Sequence, residues 1–234
     1  MAVSNTELSR ITTGTLVFGD NATQVGDIYI QAAMPTAGQN VIAAQMVAGG
    51  GTIILFDNNN VAVALTTGAG NIDLTAGAGG ITAATATGTM ATSAELSSTG
   101  AVTLNTTGGI GTGTNRIQFA AAPPSSVIVG NNNNPASGVF LDGLGALTLG
   151  SVTINNAALD VTAVGTLTAG GTIGTGGGAG GLSSQNALMV HNITPGRGMV
   201  QLKANQDGGG TQGFTQTNAT RHGVAYGQWG QTGG

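Results

Sequence analysis

NTELSRITTGTLVFGD (5–20), followed by GDIYIQAAMP (26–35), decides the fold. Each stretch sets apolar residues at alternate positions and ends on Gly, Asp or Pro. Alternation at period two marks a strand with one face buried. The same short unit returns along the chain, as GTIILFD (51–57), NIDLTAG (71–77), AVTLNTTGG (101–109), ALTLGS (146–151), ALDVTAVGTLTAGG (158–171) and GMVQLKA (198–204). A chain that turns every eight to twelve residues leaves little room for helices. Strands of this length, spaced this closely, predict a stack of turns rather than a single sheet.

The repeats have a loose period. GAGNIDLTAGAGGI (68–81) aligns with STGAVTLNTTGGIG (98–111), so Ile72 and Leu74 fall on Val102 and Leu104. GLGALTLGSVTINN (143–156) repeats the theme with Leu147 and Leu149. An offset of this size corresponds to one turn of a parallel β-helix, about 20–30 residues. Leu, Ile and Val then point inward and Thr, Asn and Ser outward, with glycine at the corners. The expected fold is all-β, a right-handed parallel β-helix (β-solenoid) over 1–180, with a smaller β-rich C-terminal unit over 181–234.

Three stretches depart from the rule. NTELSR (5–10) can form one helical turn, with Asn5 or Thr6 before Glu7 as its cap. AAPPSSVIVGNNNNPASG (121–138) reads as an exposed loop around Pro123, Pro124, Asn131, Asn132 and Pro135, with VIV as a short strand. TIGTGGGAGGLSSQ (172–185) is the most glycine-rich segment and reads as a linker or hinge. Beyond it, ALMVHNITPGRGMVQLKA (187–204) predicts two strands around Pro195–Gly196. The polar remainder (207–234) carries Phe214, Tyr226 and Trp229. Aromatics spaced along a Gly/Gln-rich segment suit an extended strand that adds to a sheet edge, so these three are the expected self-assembly residues.

Composition narrows the function. Charged residues are 6 % of the chain, where an ordinary domain has about a quarter. Such a surface suits a solenoid faced with Thr, Ser, Asn and Ala, or one coated by neighbouring copies. The five basic residues, Arg10, Arg116, Arg197, Lys203 and Arg221, form no stripe, which argues against nucleic acid. There is no cysteine, so disulfides and thiolate metal sites are excluded. No run of apolar residues is long enough for a membrane-spanning helix, and the N-terminus has no signal-peptide pattern.

The opening run is similar to internal repeats of the large secreted filamentous-haemagglutinin-like proteins of bacteria. Glu7, Leu8, Arg10, Ile11, Thr12, Gly14, Thr15 and Leu16, then Gly26, Asp27 and Ile28, fit that family's acidic-Leu-x-Arg-Ile-Thr-x-Gly-Thr-Leu run and its following strand. NIDLTAGAGGI and AVTLNTTGGIGT also look like those repeats, and the resemblance covers about 5–175. The family's Asn-Pro-Asn secretion-domain signature is absent, and the C-terminal unit has no counterpart in it. The resemblance implies an extracellular or cell-surface location and membership of a longer adhesin.

Chemistry-bearing residues are sparse. The nine carboxylates are Glu7, Asp20, Asp27, Asp57, Asp73, Glu95, Asp142, Asp160 and Asp207. Asp57 and Asp142 read as turn carboxylates after strands. A polysaccharide-degrading β-helix would need two of the nine to converge in a groove. GAGNIDLTAG only loosely resembles a calcium-binding nonapeptide, and His191 and His222 lack spaced partners. No catalytic residue, metal ligand or cofactor is therefore expected. ITAATATGTMATS (81–93) is the best candidate for an ice-matching threonine face. The remaining expectation is structural: a stiff extracellular solenoid that assembles head to tail with itself, or that meets host or surface glycans and proteins as part of an adhesin.

Overall fold

The computed structural model describes residues 4–57, 62–84, 94–209 and 212–217. Among these, apart from one four-residue helix, the regular structure is β: nineteen strands in three parallel sheets. The chain winds as stacked rungs. Rung 1 holds β1 (Thr15–Gly19) and β2 (Ile28–Gln31). Rung 2 holds β3 (Asn40–Ala44), β4 (Thr52–Phe56) and β5 (Leu65–Gly68). Rung 3 holds β6 (Ile72–Thr75), β7 (Gly80–Ala83) and β8 (Leu96–Ser98). Rung 4 holds β9 (Ala101–Asn105) and β10 (Ile117–Phe119). From rung 5 onward each turn has two strands: β11 (Ser126–Val129) with β12 (Val139–Gly143), β13 (Leu147–Thr153) with β14 (Leu159–Ala163), β15 (Leu167–Gly174) with β16 (Gly180–Ser184), and β17 (Leu188–Thr194) with β18 (Val200–Lys203). β19 (Phe214–Gln216) begins a ninth turn.

One face is continuous from end to end, in the order β1-β3-β6-β9-β11-β13-β15-β17-β19. Its register is the one the repeats predict: Ile72 pairs with Val102 and Leu74 with Leu104. Alternate residues go inward, so Val41, Ile72, Val102, Val127 and Leu149 form one apolar column, each at most 1 % exposed. Parallel pairing on both sides of each rung satisfies the strand backbone without any crossover helix, because the rest of the turn is the crossover.

The opposite side changes along the stack. One column runs Ile28, Ile53, Ile81, Ile110, Val139. A second runs Ala33, Leu65, Leu96, Phe119, Gly143. In rungs 2 to 4 these two columns lie on separate stretches of chain, joined through residues 57–64, 84–95 and 111–116. In rung 5 both columns arrive on one strand, β12. β12, β14, β16 and β18 then stack straight, with up to five paired positions per step.

Corners are held by buried polar side chains. Gln45, fully buried, donates its Nε2 to the carbonyls of Gly26 (2.7 Å) and Thr52 (3.2 Å), and its Oε1 accepts from Gly77 N–H (3.3 Å), linking three rungs. Ser98, Thr106 and Thr175 do the same for the carbonyls of Gly70, Gly77 and Pro195. Outside, the Asn40 side chain accepts from Asn71 N–H and the Asn71 side chain from Ala101 N–H, one rung on each time. Each of these bonds answers a backbone group that a corner would otherwise leave buried or bent away from its ladder.

The helix α1 (Asn5–Leu8) is capped by Ser4, one residue before the predicted position, with Glu7 closing a capping box. Leu8 is 2 % exposed, and the Asn5 side chain donates to Ala32 C=O and accepts from Met34 N–H, so α1 docks on rung 1. The glycine-rich segment 172–185 is not a linker: it is the end of β15, a corner and β16. Glycine is needed there because a Cβ on Gly178 would run into the Ala157 carbonyl oxygen of the rung below, and Gly176 sits at φ +63°. The expected boundary near 180 thus falls at the start of β16, and β16 to β19 extend the same two sheets. The strands around Pro195–Gly196 are β17 and β18, successive faces of one rung.

Candidate functional site

In rungs 2, 3 and 4 a charged residue stands beside a strand of one of these two columns. Asp57 follows β4, Glu95 precedes β8 and Arg116 precedes β10. Asp142, in β12, stands one rung above Gln118. Gln118 in turn follows Glu95 in the same outward column, since Phe119 pairs with Leu96. An outward column of a solenoid normally meets water. Here Glu95 and Gln118 are 0 % exposed, Asp57 1 %, Asp142 2 % and Arg116 5 %.

Arg116 organises the upper half of the group. Its Nε donates to Asp142 Oδ1 (2.5 Å) and its Nη1 to Asp160 Oδ2 (3.0 Å). Its Nη2 donates to the carbonyls of Leu141 (3.1 Å) and Asp160 (2.8 Å). The guanidinium lies 5.9 Å from the Phe140 ring centroid, within the range of a cation–π contact. One side chain from rung 4 therefore clamps rungs 5 and 6. Thr162 adds a hydroxyl donor to Asp142 Oδ1. Burial works against the Arg116 charge, but Asp160 and Asp142 outweigh it and keep the guanidinium firmly charged. Burial pushes the Asp142 carboxyl up, against the lowering by Thr162 and Arg116.

Glu95 organises the lower half. Its backbone C=O accepts from Leu65 N–H in rung 2 (3.0 Å), and its Oε2 accepts from Gln118 N–H in rung 4 (2.6 Å). A side-chain carboxylate thus stands where a ladder carbonyl would. Burial, with smaller contributions from Asp57 and Asp142, raises its pKa to about 8. Glu95 Oε1, both amide atoms of Gln118 and Asp142 Oδ2 are buried without a hydrogen-bond partner among the described residues. Such groups are rare and costly, and they mark this column as the polar anomaly of the fold. No three carboxylate or imidazole groups among the described residues stand close enough to hold a metal ion.

Asp142 is therefore not a turn carboxylate. It lies within β12 and is ion-paired, because its column is roofed by Arg116 rather than open to solvent. Of the loop residues, Asn131 and Asn132 are exposed and Pro123 is half-buried. Pro124 and Pro135 are buried. The Pro135 carbonyl accepts from Asn155 N–H (2.8 Å), which holds that end of the loop against the next rung. Phe214 opens β19, half-buried against the core and paired with Leu188. Tyr226, Trp229 and His222 lie outside the described residues, as does most of the threonine-rich stretch 81–93. His191 is an exposed residue of β17, with Nδ1 3.2 Å from the Thr217 hydroxyl.

Exposed large apolar side chains collect at the two ends. Val17, Val25, Tyr29 and Met34 belong to rung 1, and Met189 and Met199 to rung 8. The intervening rungs expose none among their described residues. Set against known proteins, the chain matches no family model, no curated protein and no solved structure.

Proposed function

We propose that the chain is a stiff structural segment of a bacterial extracellular or cell-surface protein, one that projects, adheres or polymerises rather than catalyses. The observation that carries this reading is the difference between the two ends. At the N-terminal end α1 is docked over rung 1, with Leu8 buried and Asn5 tied to Ala32 and Met34. At the other end, β18 is the last strand of its sheet among the described residues, with Gln201 and Lys203 exposed and Val200 and Leu202 half-buried. β19 pairs with only three residues of β17. A parallel edge of this kind recruits another strand through its free main-chain groups. The rod is thus read as growing at its C-terminal edge, by strands of a longer parent chain or by a second copy. A head-to-tail filament requires α1 to lift from rung 1, whereas an adhesin segment keeps it in place. The resemblance of about 5–175 to filamentous-haemagglutinin-like repeats favours the adhesin.

The polysaccharide-cleaving alternative draws support only from the gathering of Asp57, Glu95, Asp142 and Asp160. Glu95 and Asp142 are too deeply buried to reach a glycan, and Arg116 occupies the upper carboxylates. A glycosidase needs one free acid and one free base beside the substrate.

Electron microscopy of the intact chain at high concentration tests the reading. Filaments that vanish on truncation after Gly210 place the contact at the C-terminal edge. Isolated rods favour the adhesin segment, and a glycan-binding screen follows. Compact particles without rod shape, or turnover of a polysaccharide, overturn the structural reading.

A further inference from the structure

β8 and β10 form the thinnest junction between two strands. They share one paired position, Phe119 with Leu96, where β12 and β14 share five. The missing ladder acceptor at Gln118 N–H is supplied by the Glu95 carboxyl. Glu95 is tied below through its own backbone to Leu65, so one residue bridges rungs 2, 3 and 4. We propose that Glu95 is a proton-linked latch, which holds the β8–β10 junction shut when neutral and loosens it when ionised beside Asp57 and Asp142.

The charge balance supports the neutral form. Among the described residues near Asp57, Glu95, Asp142 and Asp160, the basic group is Arg116. The segments 58–61 (NNNV) and 85–93 (TATGTMATS) contribute no titratable residue. Glu95 is a third buried carboxylate beside two others, with Arg116 bonded to Asp142 and Asp160, and burial alone disfavours its charge. A proton on Oε1 also makes a donor of an orphan acceptor, one rung from Gln118, whose own Oε1 lacks a donor. A cation would answer the same excess charge, but the described acidic groups do not gather in threes around one point.

The sign follows from the raised pKa. A closed junction that keeps its proton up to about pH 8, where an open one releases it near the ordinary value of 4.5, is most stable below that ordinary value. Its stability falls as pH rises between the two and levels off above the higher. Amide exchange at Gln118 N–H in the full chain reads this directly. Between pH 5.5 and 7.5 the protection factor should fall about tenfold per pH unit, since one pK unit corresponds to a tenfold change in the equilibrium. Glu95→Gln, neutral at every pH, should abolish the fall. Asp57→Asn, with one repelling charge removed, should reach its plateau at lower pH. A wild-type profile without the fall, the same fall in E95Q, or an unmoved plateau in D57N overturns the latch. Restoration of wild-type protection at pH 8 by added calcium also overturns it, because the column is then a cation site.

Discussion

Rungs 2 to 4 and rungs 5 to 8 use one inner core and two different outer plans. In the first group the two short columns sit on separate strands, and a charged residue stands beside one of them in every turn. These residues are Asp57, Glu95 and Arg116, with Asp142 roofing them from rung 5. In the second group the two short columns merge into straight strands, and outward positions carry ordinary Thr, Ser and Gly, such as Thr162, Ser183 and Gly181. Straight rungs need only a repeating pattern and glycine where backbones touch. In rungs 2 to 5 one outer column lies out of contact with water. Its polar groups must then be bonded, paired or neutralised within the protein.

Breaking the charged column should have the largest effect. Arg116→Met leaves Asp142 buried and unpaired, and should cost about 3–5 kcal/mol in urea unfolding. Ser151→Ala, an exposed position of the regular rungs, should stay within about 0.5 kcal/mol. The inner core should not distinguish the regions. Leu104→Ala and Leu149→Ala remove fully buried side chains from either side of the change, and each should cost about 2–5 kcal/mol by thermal or urea unfolding. A large gap between those two would mean that the outer plan governs the core as well. In the regular rungs the sensitive positions are backbone contacts. Gly178→Ala pushes a methyl group into the Ala157 carbonyl and should cost about 1–3 kcal/mol, read by the same unfolding curve. Of the destabilising changes, the smallest belongs to the N-terminal cap: Ser4→Ala removes the acceptor for Glu7 N–H and should cost about 1 kcal/mol.

The rung pattern is legible in the sequence because period-two alternation and glycine corners are local signals. Ile72 and Leu74 align on Val102 and Leu104 by residue pattern alone, and the strands pair in that register. The charged column is not legible in the same way. Arg116 meets Asp142 and Asp160 across 26 and 44 residues, and nothing local states those separations. Rung length varies along the chain, so a single period does not carry the register from one partner to the next. Two signals are nevertheless present. Arg116 is the only basic residue between Arg10 and Arg197, and Asp142 and Asp160 interrupt strands that otherwise place Thr at such positions. Segment 172–185 misleads for the opposite reason. Its glycine density suggests looseness, where it records rungs packed too closely for a Cβ.

The docked helix at one end, and at the other an edge that no further described strand covers, give the molecule a direction in time as well as in space. Ser4 to Leu8 leaves the ribosome ahead of the rungs and can close over the first turn as soon as about thirty residues are available. Each later turn then finds a finished template on one side and nothing on the other, so folding can advance like a zip at the pace of chain delivery. The same geometry sets the response to load. Tension applied at the C-terminal strand peels one turn at a time, because each turn is bonded to its neighbour below. The end held by α1 would be the last to yield.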